Sequence, residues 1–125
     1  SKVAEGTHNI KGNWEISLEI PCDVMLELDT QADFKILMEG SHLSYSAESN
    51  KIETEEKSYV LSERKKLQIR LIADMGVNEF FIGGEISATF SYEEKGIFNV
   101  PLVIESDDVK LSYTVWSLKS IWNKS

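Results

Sequence analysis

The sequence has 125 residues, 42% of them hydrophobic, and a formal net charge of −8 at pH 7. This length corresponds to one domain that can bury a sizeable core. The excess of 21 acidic over 13 basic residues argues against DNA, RNA and anionic membranes as partners, because phosphate groups are bound by clusters of basic side chains.

In chain order, the main pattern is an alternation of apolar and polar residues, which is typical of half-buried strands. Residues 1–12 do not follow it and are predicted to be an N-terminal tail or linker. The strands predicted in the first half of the chain are Trp14–Ile20, Val24–Leu28, Phe34–Met38, Leu43–Ala47 and a short one around Ile52.

The segment from Glu53 to Lys66 is charged and weakly periodic, which predicts an exposed loop or a short, poorly packed strand. Its basic cluster, residues 64–66, is interpreted as solvated. Strands are predicted again at Leu67–Ala73, Val77–Ile82, Glu85–Phe90, Val100–Ile104 and Val109–Leu118. Turn residues separate these strands at Asp74–Gly76, Gly83-Gly84, Glu93–Gly96 and Ser106–Asp108.

Nine or ten short strands separated by polar turns, with no helical period, predict an all-β fold. We expect a two-sheet antiparallel β-sandwich of the concanavalin or jelly-roll type, with residues 1–125 as a single domain. No apolar run approaches the roughly 18 residues of a membrane span, and no signal peptide is apparent. The chain begins with Ser1 rather than Met, so we expect it to be a segment of a larger protein.

The residue patterns of common catalytic sites are missing from the sequence. There is no phosphate-binding glycine loop and no Gly-x-Ser-x-Gly motif. His8 and His42 are isolated and are expected at the surface rather than around a metal ion. Cys22 is the single cysteine, so an intrachain disulfide is excluded. We expect it to be a small half-buried residue or an exposed turn thiol, not a catalytic nucleophile.

Carboxylate pairs are common, and a glycosidase needs two carboxyl groups a few ångströms apart. Asp74 and Glu79 can approach each other around a turn, but near pairs arise by chance among so many acids. A calcium site at Asp107-Asp108 lacks the ligand spacing of calcium-binding loops. We therefore expect neither a catalytic pair nor a bound metal ion, and no cofactor.

The tryptophans are relevant because sugar-binding modules stack sugars on exposed rings. Trp14 is in phase with Ile16 and Leu18 and is predicted to lie in the core. Trp116 is predicted to lie in the core or in an interface, and Trp122 to cap an edge of the sandwich. For three tyrosines the alternation assigns an apolar face less clearly than for the tryptophans: Tyr45, Tyr59 and Tyr92.

The run from Leu67 to Phe81 resembles the hallmark of the C-terminal β-sandwich of glycoside hydrolase family 32, which includes invertases, levanases, inulinases and sucrose-6-phosphate hydrolases. In that family an aliphatic strand precedes Asp-Arg-Ser-Ser-Val-Glu-Val-Phe, a glycine hairpin and an acidic residue. Asp74, Glu79 and Phe81 match the family's Asp, Glu and Phe, and Gly84-Glu85 matches the hairpin.

The end of the chain is similar to the family's closing strand, which typically ends in Trp-x-Leu-Lys-Ser-Ile-Trp. Here the run Trp116-Ser117-Leu118-Lys119-Ser120-Ile121-Trp122 fits it, so the resemblance covers about residues 67–122. The departures are Met75, Gly76 and Val77 in place of the family's Arg and two serines. Glu53-Thr54-Glu55 also stands where the family often has an Asp-Arg pair. These changes affect inherited surface contacts more than the fold.

In that family an N-terminal five-bladed propeller carries the chemistry, with Asn-Asp-Pro-Asn-Gly, Arg-Asp-Pro and Glu-Cys motifs that do not occur here. The resemblance implies a non-catalytic domain that packs on and stabilises the catalytic propeller of a fructan- or sucrose-cleaving enzyme. One alternative is a fructan (levan)-binding module, and another is an unrelated interaction sandwich. Both a cytoplasmic and a secreted location are compatible with the sequence.

An apolar patch on one sheet would support the packing role, whereas a shallow polar pocket with an exposed ring would support sugar binding. The residues predicted to contact a sugar are Asp74, Glu79 and Tyr92. Asp74 has a second interpretation, which we favour, in which its side chain caps the backbone N–H groups of Gly76 and Val77.

Overall fold

Along the strands of this protein, apolar residues point to the inside and polar residues to the outside in alternation. A computed structural model describes residues 1–119. In one strand, the alternate residues Leu67, Ile69, Leu71 and Ala73 are all fully buried and point to the core. The strands are β1 (Lys2–Glu19), β2 (Cys22–Asp29), β3 (Phe34–Met38), β4 (Ser41–Ser46), β5 (Lys51–Glu53), β6 (Ser58–Val60), β7 (Lys66–Asp74), β8 (Val77–Ile82), β9 (Ile86–Ser91) and β10 (Asn99–Ser117).

Two antiparallel layers follow from the pairing of these strands. Sheet I has the order β6-β5-β4-β3, then the first half of β10, then the second half of β1. Sheet II has the order of the first half of β1, the second half of β10, then β2-β7-β8-β9. The predicted all-β sandwich is thereby confirmed, although β1 and β10 are long strands that serve both sheets.

A bend in the β1–β10 ribbon carries it from one sheet to the other. The register shifts between Ile10 and Gly12 on β1, opposite Asp107 and Asp108 on β10, as at a β-bulge. Gly12 has φ of +106°, a backbone conformation that residues other than glycine rarely adopt. The turn predicted at Ser106–Asp108 was wrong, because β1 pairs on both sides of the bend and keeps the chain extended.

The N-terminal residues are also a strand rather than the predicted tail. Lys2 to Ile10 pair with Val109 to Trp116, but the inward positions hold small or polar residues that hide the alternation. Gly6 is one of them, and the ring of Tyr113 lies where a side chain would project, 3.0 Å from the position of an added Cβ.

The core between the sheets is continuous and largely aliphatic. It contains 26 buried hydrophobic residues among those described, and Phe34 and Phe80 are the largest of the fully buried side chains. One polar side chain crosses it: Asn78 is fully buried, and its Nδ2 donates to Glu39 O and to Ser41 Oγ, each at 2.9 Å. This residue links β8 of sheet II to the β3–β4 turn of sheet I.

Both described chain ends lie at the same end of the sandwich, which we call the terminal end. Ser117 N donates to Ser1 O at 2.8 Å, and Leu118 N donates to Pro21 O at 3.1 Å. The β3–β4 turn, the β7–β8 turn and the loop from Tyr92 to Phe98 lie there too, since Tyr92 contacts both turns and Phe98 O accepts from Ile20 N. The ribbon bend is at the opposite, distal end.

The bend predicts a purely conformational cost for Gly12→Ala. An added Cβ at this position has no heavy atom within 4 Å, so only the positive φ opposes the substitution. We expect a loss of about 1–3 kcal/mol in the free energy of unfolding, measured by urea denaturation. Lys11→Ala is the neighbouring control, with an expected change within about 0.5 kcal/mol. Equal stability of the two variants would contradict the assigned backbone conformation.

Candidate binding surfaces

The Asp74 side chain caps its own turn. Its Oδ1 accepts from Met75 N at 2.7 Å. The sequence had suggested that it caps Gly76 and Val77, so the predicted cap exists but falls on Met75. Gly76 has φ of +79°, and an added Cβ there would lie 3.3 Å from Tyr92 O. The turn is therefore shaped by a carboxylate cap and by a glycine that the neighbouring chain approaches closely.

Tyr92 joins this turn to the other sheet. Its hydroxyl donates to Asp74 O at 3.2 Å and its backbone N donates to Gly76 O at 2.9 Å. Its side chain also packs on Gly40, where an added Cβ would come within 2.7 Å of Tyr92 Cβ. The side chain thus lies between the ends of the two sheets.

Glu79 lies on the outer face of β8, exposed, between Ile72 of β7 and Thr89 of β9. The structure therefore brings Tyr92 to the backbone of Asp74 and places Glu79 on the outer face of sheet II. A sugar-binding role for Asp74, Glu79 and Tyr92 stays a prediction.

The exposed apolar side chains concentrate at the terminal end. Seven large hydrophobic side chains among the described residues are exposed, and five of them lie at or next to this end. The five are Val3, Met75, Ile97, Phe98 and Trp116. Ile97 and Phe98 lie in the loop before β10, with 56% and 54% of their surface exposed. Such a concentration is typical of a surface that contacts another protein or domain.

A second feature adjoins this end on the outer face of sheet II. Trp116, Asp23 and Arg70 occupy β10, β2 and β7, and they line a cavity of about 440 Å³ with Met25 and Leu118. Arg70 forms a two-point ion pair with Asp23, with Nε–Oδ1 and Nη2–Oδ2 distances of 3.1 and 2.7 Å. The hydrogen bond and the charge of Asp23 raise the pKa of Arg70. The result is an exposed ring beside a fixed guanidinium and carboxylate.

The position of Trp116 differs from one of the two places that the sequence predicted for it. It has 36% of its surface exposed and points away from the core, so the core assignment was wrong and the interface assignment stays open. Trp14 is half-buried and packs against the core, with its ring 5.0 Å from that of Tyr113 and 5.7 Å from that of His8. Trp122 lies outside the described residues, and its predicted role is untested.

A cavity of about 460 Å³ lies on the outer face of sheet I. Neighbouring strands contribute Asn13, Glu105, Lys35, Ser44 and Glu53, which form one row across the sheet. Two aromatic residues, Phe34 and Tyr45, also line the cavity but are themselves buried. This face offers hydrogen-bonding groups to a ligand but presents little aromatic surface for stacking.

The two histidines are the remaining side chains that could carry chemistry, and they lie apart on different strands. His42 is half-buried, with Nε2 3.3 Å from Ser44 Oγ, and His8 is exposed on β1. Within residues 1–119, no three His, Cys, Asp or Glu side chains are grouped so that they could hold a metal ion. In the same range, no helix has the length and apolar character to cross a membrane.

Sequence reasoning missed the Arg70–Asp23 pair and the cavity beside Trp116. The alternation correctly places Arg70 on an outward position, but Asp23 lies just before the predicted strand Val24–Leu28. The pairing of the two side chains depends on the register of β2 against β7, in which the two residues are 47 positions apart in sequence. The signal available in the sequence was a charged residue of opposite sign on each of two outward faces, which does not specify which strands are neighbours.

The fold is shared with several known structures. An exo-inulinase from Aspergillus awamori superposes with a TM-score of 0.66 and 13% identity, over 90% of this chain and 29% of the enzyme. A GH32 beta-fructofuranosidase of Bombyx mori gives a TM-score of 0.63 and 17% identity, over 93% of this chain and 26% of that one. A toad ovary galectin in complex with thio-digalactose gives 0.57 and 10% identity, over 90% of this chain and 100% of the galectin.

No family model and no curated protein sequence matches the chain. This chain spans between a quarter and a third of the length of the two enzymes. The structural resemblance to enzymes of glycoside hydrolase family 32 that the sequence suggested is therefore confirmed for the fold, and the fold is also that of a galectin.

The environment of Cys22 predicts an unreactive thiol. Burial, followed by the negative charge of Asp23, raises the pKa of Cys22 to about 12. At pH 8 the thiolate fraction should then be about a thousandfold below that of an ordinary exposed thiol. We expect negligible reaction with Ellman's reagent in the native chain and one equivalent in guanidinium. Rapid labelling of the native chain would contradict the buried environment.

Proposed function

We propose that this chain is a non-catalytic sandwich domain that packs on and stabilises the N-terminal catalytic β-propeller of a fructan- or sucrose-cleaving glycoside hydrolase. The observation that carries the proposal is the concentration of exposed apolar side chains at the end where Ser1 lies. A catalytic domain preceding Ser1 joins the sandwich at this end, so the apolar surface lies where the two domains meet.

The partial coverage of the enzymes supports this arrangement. An exo-inulinase and a beta-fructofuranosidase each contain this fold as a fraction of a longer chain. A sandwich held only by a flexible linker has no need of protruding side chains such as Ile97, Phe98 and Met75. Burying them against a second domain removes apolar surface from water and stabilises both partners.

The test uses the chain together with the segment that precedes it in its gene. We expect that segment to encode a propeller and the two parts to unfold in one cooperative transition. The double substitution Ile97→Ser, Phe98→Ser should lower the melting temperature of this longer protein by several degrees, since each buried side chain contributes about 1.5–3 kcal/mol. The measurement is calorimetric unfolding with activity followed in parallel.

Two controls separate docking from folding. The same double substitution in the isolated 125-residue chain should change the free energy of unfolding by about 0.5 kcal/mol at most for each exposed position. Val60→Ser, with 69% exposure but far from the terminal end, should leave the longer protein unchanged. Two independent unfolding transitions whose melting temperatures do not change on substitution of Ile97 and Phe98 would count against the proposal. A preceding segment that encodes no propeller would also count against it.

A second candidate function is sugar binding, as in an independent fructan (levan)-binding module. The observation in its favour is the cavity beside Trp116, which combines an exposed ring with the Asp23 carboxylate and the Arg70 guanidinium. A ring stacks on the apolar face of a sugar while charged groups of fixed geometry bond its hydroxyls. A fold neighbour, the toad galectin, is described in complex with a sugar derivative.

Calorimetric titration of the isolated chain with levan, inulin, fructose and sucrose tests this candidate. If the cavity binds sugar, Trp116→Ala should weaken binding about tenfold or more, whereas Phe81→Ala, an exposed ring on the same face, should not. Glu79→Gln and Tyr92→Phe test the sequence-predicted residues in the same titration. Absence of heat with all four sugars would remove the binding-module function.

A further inference from the structure

We propose that the free edge of β9 is a self-association site at which a second copy of this chain adds its own β9. β9 is the last strand of sheet II, and among residues 1–119 no strand pairs with its outer side. It runs for six residues, Ile-Ser-Ala-Thr-Phe-Ser, without charge or proline.

The other edges of the sandwich carry the protection that β9 lacks. β1, which ends both sheets, places Lys2, Glu5, Lys11, Glu15 and Glu19 along its length. β6, the remaining edge, is three residues long. Charged side chains and short strands are the usual means of preventing edge-to-edge pairing. β9 is twice as long as β6 and carries no charge of its own, and the charged side chains of Glu55, Glu56 and Lys57 lie across a groove from it. Of the three edges it is therefore the one whose own residues leave pairing open.

The direction of the backbone groups defines the register of such a pair. Tyr92 N donates to Gly76 O, and hydrogen-bonded pairs alternate along an antiparallel ladder. Phe90, Ala88 and Ile86 thus direct their backbone groups to β8. The backbone N–H and C=O of Ser87, Thr89 and Ser91 face the free edge.

An antiparallel pair centred on Thr89 uses all of these groups. Ser87 of each copy then lies opposite Ser91 of the other, and the two Thr89 residues face each other on the symmetry axis. The outer face of the joined strands is a ladder of hydroxyl side chains, which pair favourably across strands. The strand is therefore complementary to itself, which is the requirement of a two-fold interface.

The inner face is complementary in size. In this register Ala88 lies opposite Phe90 of the second copy, a small residue against a large one. A groove of about 310 Å³ runs beside β9, lined by Ser87–Ser91 on one side and by Thr54–Lys57 and Tyr59 on the other. The Phe90 ring of the second copy enters the part of this groove beside Ala88, and both half-buried inner positions become covered.

The experiment measures self-association of the 125-residue chain by sedimentation equilibrium at physiological ionic strength, where charges beyond about 8 Å are screened. We expect a monomer–dimer equilibrium. Thr89→Lys should raise its dissociation constant about tenfold or more, because two ammonium groups then meet on the axis. Thr7→Lys is the matched control, since Thr7 is an exposed threonine on the edge strand β1, and it should leave the equilibrium unchanged.

Cross-linking tests the register independently. Thr89→Cys places two thiols opposite each other at a Cα separation of about 5.5 Å, within the range of a disulfide, and Cys22 is buried. Mild oxidation should give a covalent dimer of Thr89→Cys but not of Ser87→Cys. A monomer at all concentrations to about 100 μM, equal effects of the two lysines, or failure of Thr89→Cys to cross-link preferentially would each overturn the proposal.

Discussion

The pairing of β1 with β10 is the constraint on which the rest of this protein depends. The two strands form one antiparallel ribbon that crosses from sheet I to sheet II at Gly12, and each of its halves carries a separate sheet. β3 adds to one half and β2 to the other, and every further strand follows from these two. Because the ribbon returns to the end from which it started, Ser1 and Ser117 meet there.

This return path also determines the chemistry of the terminal end. The end of the ribbon places Trp116 next to Asp23 of β2, and the pairing of β2 with β7 brings Arg70 to the same carboxylate. The β1–β2 turn lies beside the loop that carries Phe98, because Ile20 N donates to Phe98 O. Exposed apolar side chains from distant parts of the sequence therefore lie at or next to one end of the sandwich.

The sequence predicted most of the strands, because one face of each is buried and the alternation is direct evidence of that burial. Strands β7, β8 and β9 and the Gly83-Gly84 hairpin are the clearest cases. The alternation failed at Gly6, which has no side chain, and at His8, which is in phase with the buried Ile10 but is polar and exposed. It also failed at Asp107-Asp108, where two exposed acids resemble a turn. Both errors fall on the ribbon, whose continuity depends on a partner about a hundred residues away.

The surfaces depend still more on pairing, because a binding surface is a set of neighbours rather than a run of residues. The Asp74 cap is local and was predicted in kind, whereas Tyr92 proved to connect two turns and two sheets. The uncharged composition of β9 is visible in the sequence, but its meaning comes only from its place as the last strand of sheet II. In the interior of a sheet the same six residues would be an ordinary strand; at an edge they leave three residues with unpaired backbone groups.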